Sequence, residues 1–266
     1  MRSLDEKSVK NEAIMNCEIE YSKCFSTVYE DENILRFRDD MIKDMYSHNY
    51  TYFKRPYKEL KLRSLMEEEI AVRKAEQSDY CNILTNSSVN YATLTYVKYE
   101  SQMSINGFYQ FDLKQMDRLK QLESVEVKRI DDVDRIEDIL ACDLDADEAR
   151  HGKDFCIRRC YRRGQVYIKD QGVDAYVAYV DGQIVGCCNL FIHDGIAKIE
   201  DFSVIERYQR KGYGTSILKA LIGVALTSDC HTVYLVTDES DTAKEMYVKL
   251  GFSKIGETTG IMFKLK

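Results

Sequence analysis

Glycine divides this chain more sharply than any other residue does: of 13 in all, only Gly107 precedes residue 150. A backbone needs glycine where it turns at positive φ or lets another group approach closely. The two halves therefore answer to different demands. In the first half, apolar residues recur at spacings of three and four in residues 34–46 and 57–77, which predicts helices. Alternation predicts strands at 49–53, 91–99 and 105–111. Pro56 punctuates the boundary between a strand and the long helix. The sum is an α+β N-terminal domain over residues 1–120 with no glycine loop, and the charged stretch 112–124 is expected to be a helix joining the halves.

From residue 125 the elements follow in the order βααβββαβαββ. "VEVKRI" reads as a strand, and "DDVDRIEDILACDLDADEA" and "KDFCIRRCYRRG" as helices. Asp181-Gly182 splits two strands as a favoured hairpin turn. "IAKIEDFSV" leads into a glycine loop, a helix from about Thr215 to Ser228, the strand "TVYLVTD", a short helix, and two final strands around "FSKIGE" and "IMFKLK". This pattern predicts an α/β (α+β) fold: a mixed sheet flanked by helices, antiparallel at one side and closed by a βαβ crossover.

Composition narrows the function. A net charge of −7 argues against nonspecific nucleic-acid binding, which needs a basic face. The apolar stretches are too short or too interrupted to cross a bilayer, and "MRSLDEKSVKNEAIMN" lacks the apolar core of a signal peptide. A cytoplasmic protein without membrane partners is expected; a homodimer is an open assembly. The nine cysteines have irregular spacing with neither CxxC nor a Cys/His quartet, so reduced thiols and no metal are expected.

The loop in "VIERYQRKGYGTSIL" carries the most specific chemistry. It joins a strand ending at Val204 to a helix start, where backbone N–H groups are unpaired and the macrodipole is positive. Gly212 and Gly214 admit phosphate oxygens, while Arg207, Arg210 and Lys211 add positive charge. By itself such a pair of glycines could equally mark a turn. A Walker loop is excluded because no GK[ST] follows, and a dinucleotide fingerprint fails because its third glycine position is Ile217.

Gln209, Gly212 and Gly214 fit the [QR]xxGx[GA] loop of the GNAT acyltransferase superfamily. Ala243, Tyr247, Gly251 and Phe252 in "AKEMYVKLGF" fit that superfamily's AxxxYxxxGF block. Residues 125–266 therefore resemble a GNAT acyl-CoA-binding catalytic domain. The resemblance does not reach the first 120 residues, which are either an unrelated α+β domain or a degenerate copy of the same fold without a cofactor loop. Glu206 replaces the family's frequent proline after the strand valine, and Ser240 its asparagine before the alanine.

The resemblance implies acetyl-CoA as acyl donor, held at Phe202, Val204, Gln209, Arg210, Lys211, Gly212, Tyr213, Gly214, Thr215 and Ser240. It implies direct attack by an amine on the thioester. The amine must lose a proton first. Glu200 in "KIEDFSV" is the candidate base, in a segment similar to the "EDFxV" strand of diamine and polyamine acetyltransferases. By alternation Glu200 shares a face with Phe202 and Val204, opposite Asp201 and Ser203. The other reading makes Glu200 a structural carboxylate paired with Lys198. Tyr247 is the candidate acid for the departing thiolate, or else a packing residue. Nine acids between Asp131 and Glu148 (Asp131, Asp132, Asp134, Glu137, Asp138, Asp143, Asp145, Asp147, Glu148) against Arg135 suggest an entrance that steers cationic amines. The acceptor is then a small basic or peptidyl primary amine. Two alternatives stay open: a CoA-binding regulator without turnover, and a scaffold that has lost its ligand. Cys187-Cys188, His193 and "RRCYRR" read as core and surface features.

Overall fold

The computed structural model describes residues 6–169 and 172–266. Its elements run α1 (Glu6–Lys23), β1 (Thr27–Glu30), β2 (Ile34–Arg38), β3 (Thr51–Phe53), α2 (Glu59–Ala75), β4 (Tyr80–Thr85), α3 (Tyr91–Thr95) and β5 (Ser101–Phe111). After a 3-10 turn at Leu113–Arg118 come β6 (Glu126–Arg129), α4 (Ile136–His151), α5 (Lys153–Ile168), β7 (Val173–Val180), β8 (Gln183–His193) and β9 (Ile196–Val204). The chain ends with α6 (Tyr213–Thr227), β10 (Thr232–Asp238), α7 (Ala243–Lys249) and β11 (Phe252–Lys264). It is the expected mixed α/β architecture of sheet and flanking helices.

Two compact units are assembled from non-contiguous segments. One takes residues up to Phe25, Tyr109–Val236 and Glu245–Ile255; the other takes Ser26–Phe108, Thr237–Lys244 and Gly256–Lys266. Helix α1 thus folds with the second half of the chain, and the last 11 residues with the first half.

In the first unit the strand order is β10-β9-β8-β7-β6. The hairpin turn Asp181-Gly182 has φ of 49° and 75°, the pair of positive values a type I′ turn requires. It makes β7 and β8 antiparallel; β8 and β9 are antiparallel too, and α6 then crosses over to place β10 parallel to β9. The second unit has the order β1-β2-β3-β4-β11-β5 and repeats the scheme. Its β1, β2 and β3 are successively antiparallel, and α2 crosses over to place β4 parallel to β3. Here the last strand of the chain completes the sheet, with Thr259–Lys264 antiparallel to β4. Leu62, Met66 and Ile70 of α2 bury their apolar stripe against Phe53, Ile83, Ile261 and Phe263.

Four expectations are corrected. Residues 34–46 begin as strand β2 and continue in turns, because Ile34, Leu35, Phe37 and Arg38 are all buried between neighbouring strands. Residues 91–99 open with helix α3 because the Asn90 side chain accepts from the Thr93 N–H at 2.8 Å and caps it. The stretch 112–124 is a 3-10 turn and loop, and the two final strands are one, β11.

Candidate functional site

The loop after β9 has the geometry that its glycines suggest. Arg210 and Gly212 both adopt positive φ, 59° and 86°, and Gly212 is the left-handed residue on which α6 begins. The first N–H to find an intrahelical acceptor is that of Ser216, which donates to the Gly212 carbonyl at 3.2 Å. Helix geometry leaves the N–H groups of Gly212, Tyr213, Gly214 and Thr215 without one. No acid lies in the first turn of α6 to compete for them. The Gln209 amide donates to the Val204 carbonyl at 3.0 Å and ties the loop to the strand end, while Gln209, Arg210 and Lys211 stay exposed. Gly214 serves a second need. A β-carbon there would come within 3.1 Å of Phe202 Cζ and 3.4 Å of Val204 Cγ2, so glycine lets α6 lie close on β9.

Next to this cradle, β9 breaks its own alternation. Asn189 of β8 faces Glu200 and Cys187 faces Ser203, so the single residue Cys188 opposes both Asp201 and Phe202. Asp201 takes φ of 50°, and the extra residue makes a bulge. The expected pairing of faces is therefore corrected. Phe202 and Val204 lie on the α6 face against Gly214, whereas Glu200 and Asp201 both lie on the opposite face with Asn189. The parallel register of β9 with β10 stops at Ile199 and Leu235. Beyond that point the β9 backbone from Glu200 to Val204 has no β10 partner in the register, and within that stretch the Val204 carbonyl is the one that Gln209 takes up.

Glu200 sits in a buried charge cluster. Lys198 Nζ lies 2.9 Å from Glu200 Oε2 and 2.7 Å from Glu18 Oε2, and its side chain is 4% exposed. The pairing that the sequence left open is formed, with a second carboxylate from α1. Burial pushes the Glu200 carboxyl above the usual glutamate range, opposed by Lys198 and reinforced by Asp201 and Glu18. Asp201 is held by Arg163 at 2.7 Å and by the Asn189 amide at 2.7 Å, and Asn189 also donates to the Tyr167 hydroxyl at 2.8 Å. The Tyr21 ring lies under Lys198 with 4.3 Å from Nζ to its centroid. Burial, with Asp201 and Glu200 nearby, pushes the Tyr21 phenol up.

Tyr247 approaches from the α6 face. It is 8% exposed, its ring centroid 6.3 Å from that of Phe202 and 5.7 Å from that of Phe252. Glu200 and Tyr247 thus address β9 from opposite faces, at the stretch where β10 no longer pairs with it. Ser240 belongs to the other unit, where its hydroxyl donates to Asp238 at 2.8 Å. Four acids of the α4 run have partners of their own: Asp143 and Asp147 on Arg159, Asp138 on the Tyr179 hydroxyl, and Asp145 on the Glu206 N–H. Cys188 is buried, which pushes its thiol well up and disfavours a thiolate. Among the described residues no group of three or more His, Cys, Asp or Glu is arranged to hold a metal, and no described helix is long and apolar enough to cross a membrane.

The residues missed by sequence reasoning are Glu18, Tyr21, Arg163, Tyr167 and Asn189. A bulge and a remote helix bring them to Glu200, and neither leaves a local pattern.

A glycine-capped helix beside a bulged strand is the arrangement that the resemblance implies. Residues 134–252 match the model of the acetyltransferase (GNAT) family. This segment is a GNAT acetyltransferase domain. An uncharacterized N-acetyltransferase of Bacillus subtilis (strain 168), CgeE, is 38% identical over 72 residues, which span 26% of this chain and 28% of that protein. Among solved structures, a functionally unknown conserved protein of Staphylococcus epidermidis ATCC 12228 superposes with a TM-score of 0.76 at 21% identity, covering 90% of this chain and 94% of that one. A GCN5-related N-acetyltransferase of Kribbella flavida gives 0.69 at 12% identity, covering 96% and 95%. The likeness in fold thus extends beyond the GNAT domain to nearly the whole chain.

Proposed function

We propose that the GNAT domain transfers an acetyl group from acetyl-CoA to a primary amine. The observation that carries this reading is the cradle at Gly212–Thr215 set directly against the unzipped, bulged end of β9. The N–H groups of the cradle, with Arg210 and Lys211, fit a pyrophosphate. The end of β9 around Phe202, which β10 leaves unpaired, fits the extended amide-bearing arm of CoA, by added-strand pairing. That stretch of the sheet is open to Glu200 on one side and Tyr247 on the other.

In this reading Glu200 takes one proton from the ammonium. The neutral nitrogen attacks the thioester carbon, and the C–S bond breaks as the carbonyl reforms. Tyr247 gives its proton to the thiolate and recovers one from the substituted nitrogen, so the products are an amide, the CoA thiol and the proton on Glu200. Because burial raises the Glu200 carboxyl, its base form is lost as pH falls through a midpoint above the ordinary glutamate range. Activity should rise through that midpoint. Released thiol, measured over a panel of amines between pH 5 and 9, tests this. A rate that is flat with pH and unchanged in Glu200→Gln sinks the assignment of Glu200. The acceptor is a cationic small or peptidyl amine in this proposal, though four acids of α4 are engaged elsewhere and the steering field is correspondingly smaller.

One observation favours a second reading, a CoA-binding regulator without turnover: Glu200 is already paired with Lys198. Stabilisation by acetyl-CoA without thiol release from any amine would support it. The other unit, in both readings, is a copy of the same fold without a cradle, supported by its repeated antiparallel, antiparallel, crossover scheme.

A further inference from the structure

One ammonium serves two carboxylates beneath α1. With Glu18 and Glu200 both on Lys198, the trio carries a net negative charge; Lys198 with Glu200 alone would be a neutral pair. Glu18 is itself fixed, since the Tyr234 hydroxyl donates to its Oε1 at 2.6 Å. The groups facing Glu200 come from every packed element. They are Glu18 and Tyr21 from α1, Lys198 and Asp201 from β9, Cys188 and Asn189 from β8, and, through Asp201, Arg163 and Tyr167 from α5 and Asp143 from α4. Arg163 is committed to Asp201, which leaves Lys198 as the cation bonded to Glu200.

We propose that Glu18 is a positioning residue, which shares the Lys198 ammonium so that Glu200 is not neutralised by it and can take a proton from an incoming amine. The inference rests on Glu200 acting as the base, and it makes α1, far from the GNAT segment in sequence, part of that segment's chemistry. A purely structural trio would also anchor α1, because removing one partner of a buried ion pair leaves the other charge buried and uncompensated. Stability alone cannot separate the two. The sign of a titration can.

Removing the charge of Glu18 leaves Lys198 to Glu200 alone and favours the carboxylate; removing the charge of Lys198 favours the acid. We therefore expect the Glu200 carboxyl, followed by 13C NMR, to titrate on the order of one pH unit lower in Glu18→Gln and at least as far higher in Lys198→Met. The acidic limb of kcat/KM with a primary amine should move in the same two directions. Thermal melts show whether each variant folds; if Lys198→Met does not, the downward shift in Glu18→Gln carries the test. A Glu200 titration unmoved in Glu18→Gln, or moved upward, overturns the proposal. Opposite carboxyl shifts with an unmoved rate profile uphold the sharing of Lys198 and overturn Glu200 as base, so the two failures are distinguishable.

Discussion

The two crossovers, β9 to α6 and β3 to α2, have the same topology and opposite chemistry at the helix start. Helix α6 begins on a left-handed glycine, has no acid in its first turn, and is preceded by Arg210 and Lys211. Helix α2 begins on Lys58 with φ of −68° and ψ of 153°, carries Glu59 in its first turn, and is preceded by Pro56. A carboxylate at a helix N-terminus satisfies the positive end of the macrodipole from within the chain. The first turn of α6 holds no such carboxylate. In the proposed reading a crossover helix becomes a binding site through what its first turn omits, and in the second unit Glu59 stands where that reading puts the anion.

The largest effect expected from breaking this comparison lies at the tyrosines that follow the crossovers. Tyr247 is buried beside Phe202, whereas Tyr91 and Tyr96 around α3 are 70% and 63% exposed. Tyr247→Phe should lower kcat about 10²-fold, the lower end for loss of a positioned proton donor, with acetyl-CoA affinity nearly unchanged. Tyr96→Phe should leave both unchanged. Equal loss of turnover and affinity in Tyr247→Phe would make Tyr247 a packing residue. A smaller effect is expected at Gly214. Valine there would overpack against Phe202 and Val204 at a cost of about 1–3 kcal/mol in stability, and by pushing α6 off β9 it should weaken acetyl-CoA binding. Calorimetry showing full affinity in a folded Gly214→Val protein would remove the cradle from the proposed site.

Legibility in the sequence follows the same divide. Strands β9 and β10 run as read, Ile196–Val204 and Thr232–Asp238: β10 opens on a short apolar run, and β9 is bounded by the Asp194-Gly195 turn and the glycine loop. The glycine loop and the Asp181-Gly182 turn were legible because positive φ selects residue types locally. In the first half β2 mimicked a helix, since Ile34, Phe37, Met41 and Met45 recur at spacings of three and four, although Ile34 and Phe37 are buried in a strand. Residues 91–99 mimicked a strand until Asn90 capped them. The bulge at Asp201 was not legible, because alternation assumes every residue has one partner. Glu18 was beyond reach for another reason: its partner Lys198 lies 180 residues away.

The smallest effect tests the comparison at its other end. Glu59 of α2 is half-exposed and pairs with Arg63 one turn on, where such pairs are worth about 0.3–0.5 kcal/mol. Its place in the first turn adds a macrodipole contribution of similar size. Glu59→Gln should therefore lower stability by less than about 1 kcal/mol in urea denaturation and leave acetyl-CoA binding untouched. Adding to that variant glycines at Lys58 and Leu60, the places that Gly212 and Gly214 hold in α6, would give α2 the open first turn of α6 without its neighbours Phe202 and Val204. If a vacant first turn suffices for a CoA site, the triple variant should gain a second equivalent of acetyl-CoA binding by calorimetry. We expect it to gain none, because the proposed site also needs a bulged strand edge left unpaired beside the helix. In the second unit β3 pairs with β4 through to Phe53, its last residue, so no edge is free there.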